Sequence, residues 1–166
     1  MLVINKLDKY ITTFIFNLKI KKFSDIFSKY IIYFNLFINI ILLNYINKWL
    51  IFYRYFIELF IINFCCKCLL DRPRPRDSLF LTNKYYGIND IKLSRKWSNN
   101  QSFPSGHVAT VYCTYRLICY LYWNYLSIFY KFLICLTIFC RINLGAHYLS
   151  DCVFSLFICS ILYINV

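Results

Sequence analysis

Three short stretches combine residue types that chemistry uses and packing seldom needs. They are Lys67, six intervening residues and Arg74-Pro75; then Pro104-Ser105-Gly106-His107; then Arg141, five residues, His147, three residues and Asp151. A phosphoryl group in transfer spreads negative charge over its oxygens, and several fixed cations and N–H donors around one centre stabilise it. Lys67, Arg74 and Arg141 supply the cations. The planar arginine fork can donate to two phosphate oxygens, whereas lysine offers a compact charge. Ser105 and Gly106 stand at the head of an apolar run, so they open a helix whose first N–H groups form an anion site. Pro104 suits a helix entry, but a plain entry turn leaves His107 unexplained.

Two histidines suit a covalent route, in which one attacks phosphorus while the other protonates the departing oxygen and later activates water. Asp151 follows His147 by four residues, one helical turn, from where its carboxylate would accept a ring N–H and free the other nitrogen. This makes His147 the nucleophile, Asp151 its orienting group and His107 the general acid and then base. No metal or cofactor is implied. The chain has two His, three Gly and three Pro, and all of them except Gly87 fall in these polar clusters.

The elements that must position these residues are membrane helices. Of 166 residues, 60% are hydrophobic, against roughly 45 to 50% in soluble domains. Apolar runs of spanning length cover 30–46, 49–66, 108–126 and 148–166, and a shorter run at 128–140 reaches full length by taking in 141–144. The fold class expected is therefore all-α, an integral membrane bundle of about five to six transmembrane helices. Residues 1–29 form an N-terminal interfacial segment, because the apolar stretch 11–18 is too short to span and Lys19, Lys21 and Lys22 follow it. Residues 30–166 form the catalytic domain. Counting crossings puts the loop at 67–106 and the turn at 141–147 on one membrane face.

The net charge of +12 would suit nucleic acid in a soluble protein, but no nucleic-acid signature accompanies it. Eight of the 19 Lys and Arg lie between Lys67 and Lys96, in one loop, which points to an anionic substrate or lipid headgroup as partner. The nine cysteines lack metal-ligand spacing, and most fall in apolar runs as small hydrophobes. Arg54, Glu58 and Arg116 fall inside apolar runs, where an interhelical Glu58 to Arg116 contact is expected to serve structure, with Arg54 one turn from Glu58 as the competing partner.

The three motifs, in this order, resemble the signature of the type 2 phosphatidic acid phosphatase superfamily over about Lys67 to Asp151. The resemblance implies a membrane lipid phosphatase working through a phosphohistidine, without metal, on a lipid phosphate monoester or diphosphate. Undecaprenyl diphosphate, phosphatidylglycerol phosphate, phosphatidate and lipid A are substrates of such enzymes, and a polyprenyl diphosphate is preferred on frequency. It also implies a bacterial inner membrane with the site facing the periplasm, although the positive-inside rule would place this charged face in the cytoplasm. A lipid-to-lipid phosphotransferase would use the same residues, and a non-catalytic basic lipid-binding protein is the alternative from another class. Cys140 stands where the family usually has Ser. In "DRPRPRD" only Arg74 has the family interval from Lys67, so Arg72 and Arg76 are expected to be solvated or to touch headgroups.

Overall fold

The structure is a computed structural model that describes residues 2–46, 49–62, 72, 74–77, 102–121 and 124–162. Every regular element among them is helical: α1 (Leu2–Phe16), α2 (Lys21–Ile46), α3 (Trp49–Phe60), a 3₁₀ turn at Pro75–Asp77, α4 (Gly106–Tyr120), α5 (Asn124–Asn143) and α6 (Leu149–Leu162). Among the described residues, two helical stretches, Lys21–Leu42 and Asn124–Asn143, are long and apolar enough to cross a membrane. Large apolar side chains face outward on α2, α5 and α6, among them Tyr33, Phe37, Phe132 and Phe157. Exposed apolar side chains in such number suit association with a membrane.

Helix boundaries depart from the apolar runs in two places. No break falls between residues 29 and 30, because α2 begins at Lys21. Its first turns are polar but helical, with an exposed ion pair from Lys29 Nζ to Asp25 Oδ2 at 2.8 Å, and hydropathy does not register such turns. The run 108–126 divides: α4 stops at Tyr120, where the Leu121 N–H bonds back to the Leu117 and Ile118 carbonyls at 3.2 and 3.1 Å. The turn thus falls before Asn124, and α5 runs on through Arg141 to Asn143, reaching 20 residues.

α4 lies at the centre, packed against α2, α3, α5 and α6. Val111, Leu117 and Ile118 of α4 join Ile31 and Leu42 of α2 and Tyr130, Leu133 and Ile134 of α5 in the main buried cluster. One polar knot interrupts it: Asn39 Nδ2 donates to Tyr55 Oη at 2.7 Å and to Thr114 Oγ1 at 3.1 Å. Glu58 is buried, and the Cys113 thiol donates to its Oε2 at 3.6 Å. In an apolar interior such polar contacts between helices fix how the helices register.

α1 packs on α5 and α6. Asp8, Thr12 and Phe16 of one face are buried while Leu7, Tyr10 and Phe14 of the other are exposed. The segment is amphipathic as its sequence suggests. Its buried face, however, carries an acid.

Candidate active site

The chain leaves α5 through a glycine turn that aims the next residues at the site. Gly145 has φ +63°, Ala146 N–H bonds to Arg141 O at 3.1 Å, and Gly145 N–H bonds to Ile142 O at 2.8 Å. These are the paired bonds of a Schellman ending, which requires a left-handed residue. Space demands glycine as well, since a Cβ there would lie 2.7 Å from the Phe16 ring and 3.0 Å from Arg76 Cβ. The Gly145 carbonyl accepts the Arg76 N–H at 3.0 Å, tying the 3₁₀ turn of the first motif to the turn of the third.

Two residues later comes His147, which is buried. Its Nδ1 lies 2.5 Å from the Ser102 carbonyl oxygen. A carbonyl only accepts, so Nδ1 carries the proton and Nε2 is the bare nitrogen. Burial is the main force holding this imidazole well below its ordinary pKa; the charges of Arg141 and Arg74 push the same way, the Ser102 bond opposes them, and His107 adds to the lowering. His147 is therefore neutral at pH 7, with an unprotonated nitrogen among cations.

The orienting role expected of Asp151 falls instead to the Ser102 carbonyl. Helical i, i+4 spacing does not apply, because α6 begins at Leu149 and His147 precedes it. Asp151 is the third residue of the helix, and its Oδ2 accepts the Tyr148 N–H at 2.8 Å, half of a capping box. Its Oδ1 accepts from Arg72 Nη1 at 2.6 Å. Asp151 thus fixes the residue beside His147 and not the ring itself.

Ser105 and Gly106 do open a helix. Ser105 is the N-cap of α4 with extended backbone (φ −81°, ψ 104°), and its side chain makes no capping bond. The Ser105 N–H donates to Ser155 Oγ at 2.7 Å, and Ser155 Oγ donates to the Asp151 carbonyl at 2.8 Å. The N–H groups of Gly106, His107 and Val108 lie outside the helical ladder, at the positive end of the helix dipole. His107 is half-buried in this first turn. The Phe103–Pro104 peptide before it is cis.

Arg141 sits in the last turn of α5, where a cation also complements the dipole. Arg74, His107 and Arg141 are all close enough to act electrostatically on His147, so the structure brings together residues from all three motifs. Lys67 lies outside the described residues. Cys140, which precedes Arg141 in the chain, is fully buried.

Arg72 and Arg76 do not behave as solvated loop cations. Arg76 is buried against the Gly145 turn. Arg72 forms ion pairs with Asp151 at 2.6 Å and Asp8 at 2.9 Å, donates to Ser150 Oγ at 2.6 Å, and lies 4.0 Å over the Tyr148 ring. Interval counting set them aside because it tracks the phosphate ligands alone. Asp8, Ser102 and Ser155 were likewise missed. One signal was available for Asp8, which is the only acid among residues 1–24; a carbonyl such as that of Ser102 leaves no trace in residue type.

One family model, described as the PAP2 superfamily, matches residues 37–165, a span that holds all three motifs. No curated protein and no solved structure matches the chain.

Proposed function

The chain belongs to the PAP2 superfamily, a family of phosphatases, and from that premise we propose an integral membrane lipid phosphatase that works through a phosphohistidine. The observation that carries the reading is a neutral, anchored His147 under the charges of Arg74 and Arg141. In the first step His147 Nε2 attacks phosphorus and the bond from phosphorus to the leaving oxygen breaks, with His107 giving that oxygen a proton. Water then attacks the phosphohistidine, His107 takes its proton, and the P–N bond breaks to release phosphate. Arg74, Arg141, Lys67 and the N–H groups after Ser105 hold the phosphoryl oxygens. Such positioned charge is the main source of catalysis in phosphoryl transfer.

The substrate is a lipid phosphate monoester or diphosphate, with a polyprenyl diphosphate such as undecaprenyl diphosphate first among candidates. In this reading the chain is a bundle of five to six spans with the site at one membrane face, where the substrate's tail stays in the bilayer. The face proposed is the external one, and an impermeant thiol reagent should reach a single cysteine placed at Lys92 in intact cells. The residues supply nucleophile, proton carrier and cations, and the route proposed uses no metal.

The test is phosphate release by purified protein from a panel of lipid phosphates, with EDTA present. His147→Ala should release none, and His107→Ala should lose about 10²- to 10⁴-fold in kcat, the usual worth of a general acid. Full activity of His147→Ala would overturn the mechanism, and loss of native activity to EDTA would overturn its metal-free character.

A further inference from the structure

Asp8 is a buried acid on a basic amphipathic helix outside the three motifs. Its Oδ1 accepts the Ser150 N–H at 3.0 Å, and its Oδ2 accepts the Ser150 hydroxyl at 2.5 Å and Arg72 Nη2 at 2.9 Å. It therefore caps the N-terminus of α6 from outside and holds one arm of a guanidinium whose other arm holds Asp151. The Arg72 carbonyl in turn accepts the Ser102 N–H at 2.7 Å, and the Ser102 carbonyl accepts the His147 ring proton. A continuous series of bonds runs from α1 to the reacting nitrogen's own ring.

α1 is seated firmly enough to transmit this. Asn143 Nδ2 donates to the carbonyls of Ile15 at 2.7 Å and Leu18 at 3.2 Å, and Asn143 Oδ1 accepts from Ser24 Oγ at 2.9 Å. Phe16 fills the space under Gly145. Asp8 and Asp151 both engage the Arg72 guanidinium, which bridges α1 and α6.

Resting on the phosphohistidine reading above, we propose that Asp8 is a positioning residue of the active site. It acts through Arg72 and Ser102 to keep the His147 ring oriented with Nδ1 protonated. Without Asp8, the part-exposed Arg72 side chain is released on one side and its carbonyl no longer fixes Ser102. His147 then samples the other tautomer, in which Nε2 carries the proton and cannot attack.

Two readouts test this on the full chain in detergent. Because the chain has two histidines, ¹⁵N-histidine labelling gives two imidazoles, and His107→Ala assigns them. The native protein should show His147 in the Nδ1–H form alone. Asp8→Ala and Asp8→Asn should show mixed tautomers and a kcat lower by about tenfold to a hundredfold with KM within about twofold, as a misplaced group costs rate more than binding. Asp8→Glu should restore both. Asp8→Asn keeps an acceptor for the Ser150 N–H, so it decides the matter if Asp8→Ala fails to fold. An unmixed Nδ1–H His147 in Asp8→Asn, or a native kcat, overturns the proposal. If the native chain releases no phosphate from any lipid, the phosphatase reading falls while the tautomer measurement still decides the role of Asp8.

Discussion

Replacing Gly145 with alanine should cost the fold more than any exposed loop substitution does. Two penalties act at once. A side chain at φ +63° carries the left-handed penalty of about 1 to 2 kcal/mol. The added Cβ would sit 2.7 Å from Phe16 Cε2 and 3.0 Å from Arg76 Cβ. Phe16 is fully buried, so its ring cannot swing into solvent, and overpacking of this kind costs about 1 to 3 kcal/mol. The sum is about 2 to 5 kcal/mol, a large part of the 5 to 15 kcal/mol that usually separates folded from unfolded chains. At about 2 to 4 °C per kcal/mol for a chain of this size, the thermal midpoint in detergent should fall by at least about 4 °C. Gly145→Asn separates the two penalties. Asparagine tolerates the left-handed conformation, yet it brings the same Cβ and more atoms beyond it. If the Phe16 contact governs, Asn is no better than Ala. A Gly145→Ala protein melting with the native would refute the argument, and a Gly145→Asn protein markedly more stable than Gly145→Ala would refute the contact part of it.

The neutral His147 makes a pH prediction. Its folded pKa is lowered, chiefly by burial and then by Arg141 and Arg74, so the unfolded chain takes up the proton first. The stability tied to the neutral ring is complete above the ordinary histidine value of about 6.5 and is lost as pH falls below it towards the folded value. The acid limb of kcat/KM, which reports the free enzyme, should accordingly lie below about 6.5. A limb above that value would contradict a buried, neutral nucleophile. Ser155→Ala removes the acceptor of the buried Ser105 N–H, a loss of about 1 to 3 kcal/mol. Its kcat/KM should fall along with its thermal midpoint. Unchanged values of both would show that Ser155 does not hold the head of α4.

The sequence made the motifs legible because their chemistry is written in rare side chains. Arginine, histidine and the "PSG" helix entry stand out against an apolar background, and α4 begins at Gly106 as that entry implies. Helix ends were less legible for a definite reason. Hydropathy detects apolar surface, so it missed the polar opening turns of α2. It also ran α4 past Tyr120, since residues 121–126 hold no charged residue to mark an end. Residues 67–71 and 78–100 lie outside the described residues, so Lys67 stands on its motif position.

The reassignment of Asp151 follows from what residue spacing can encode. Spacing of four predicts a contact only if both residues are helical, and a Schellman turn places His147 outside the helix that contains Asp151. The ring then takes its acceptor from the backbone of another motif, at Ser102. Backbone bonds join the motifs at two further points, Arg72 to Ser102 and Arg76 to Gly145. Every residue except proline offers the same N–H and carbonyl, so these joints carry no compositional mark. Asp151, the one acid that motif spacing would assign to catalysis, instead secures a helix end and Arg72. Asp8 does this from the N-terminal helix, which is how a segment outside the three motifs comes to bear on His147.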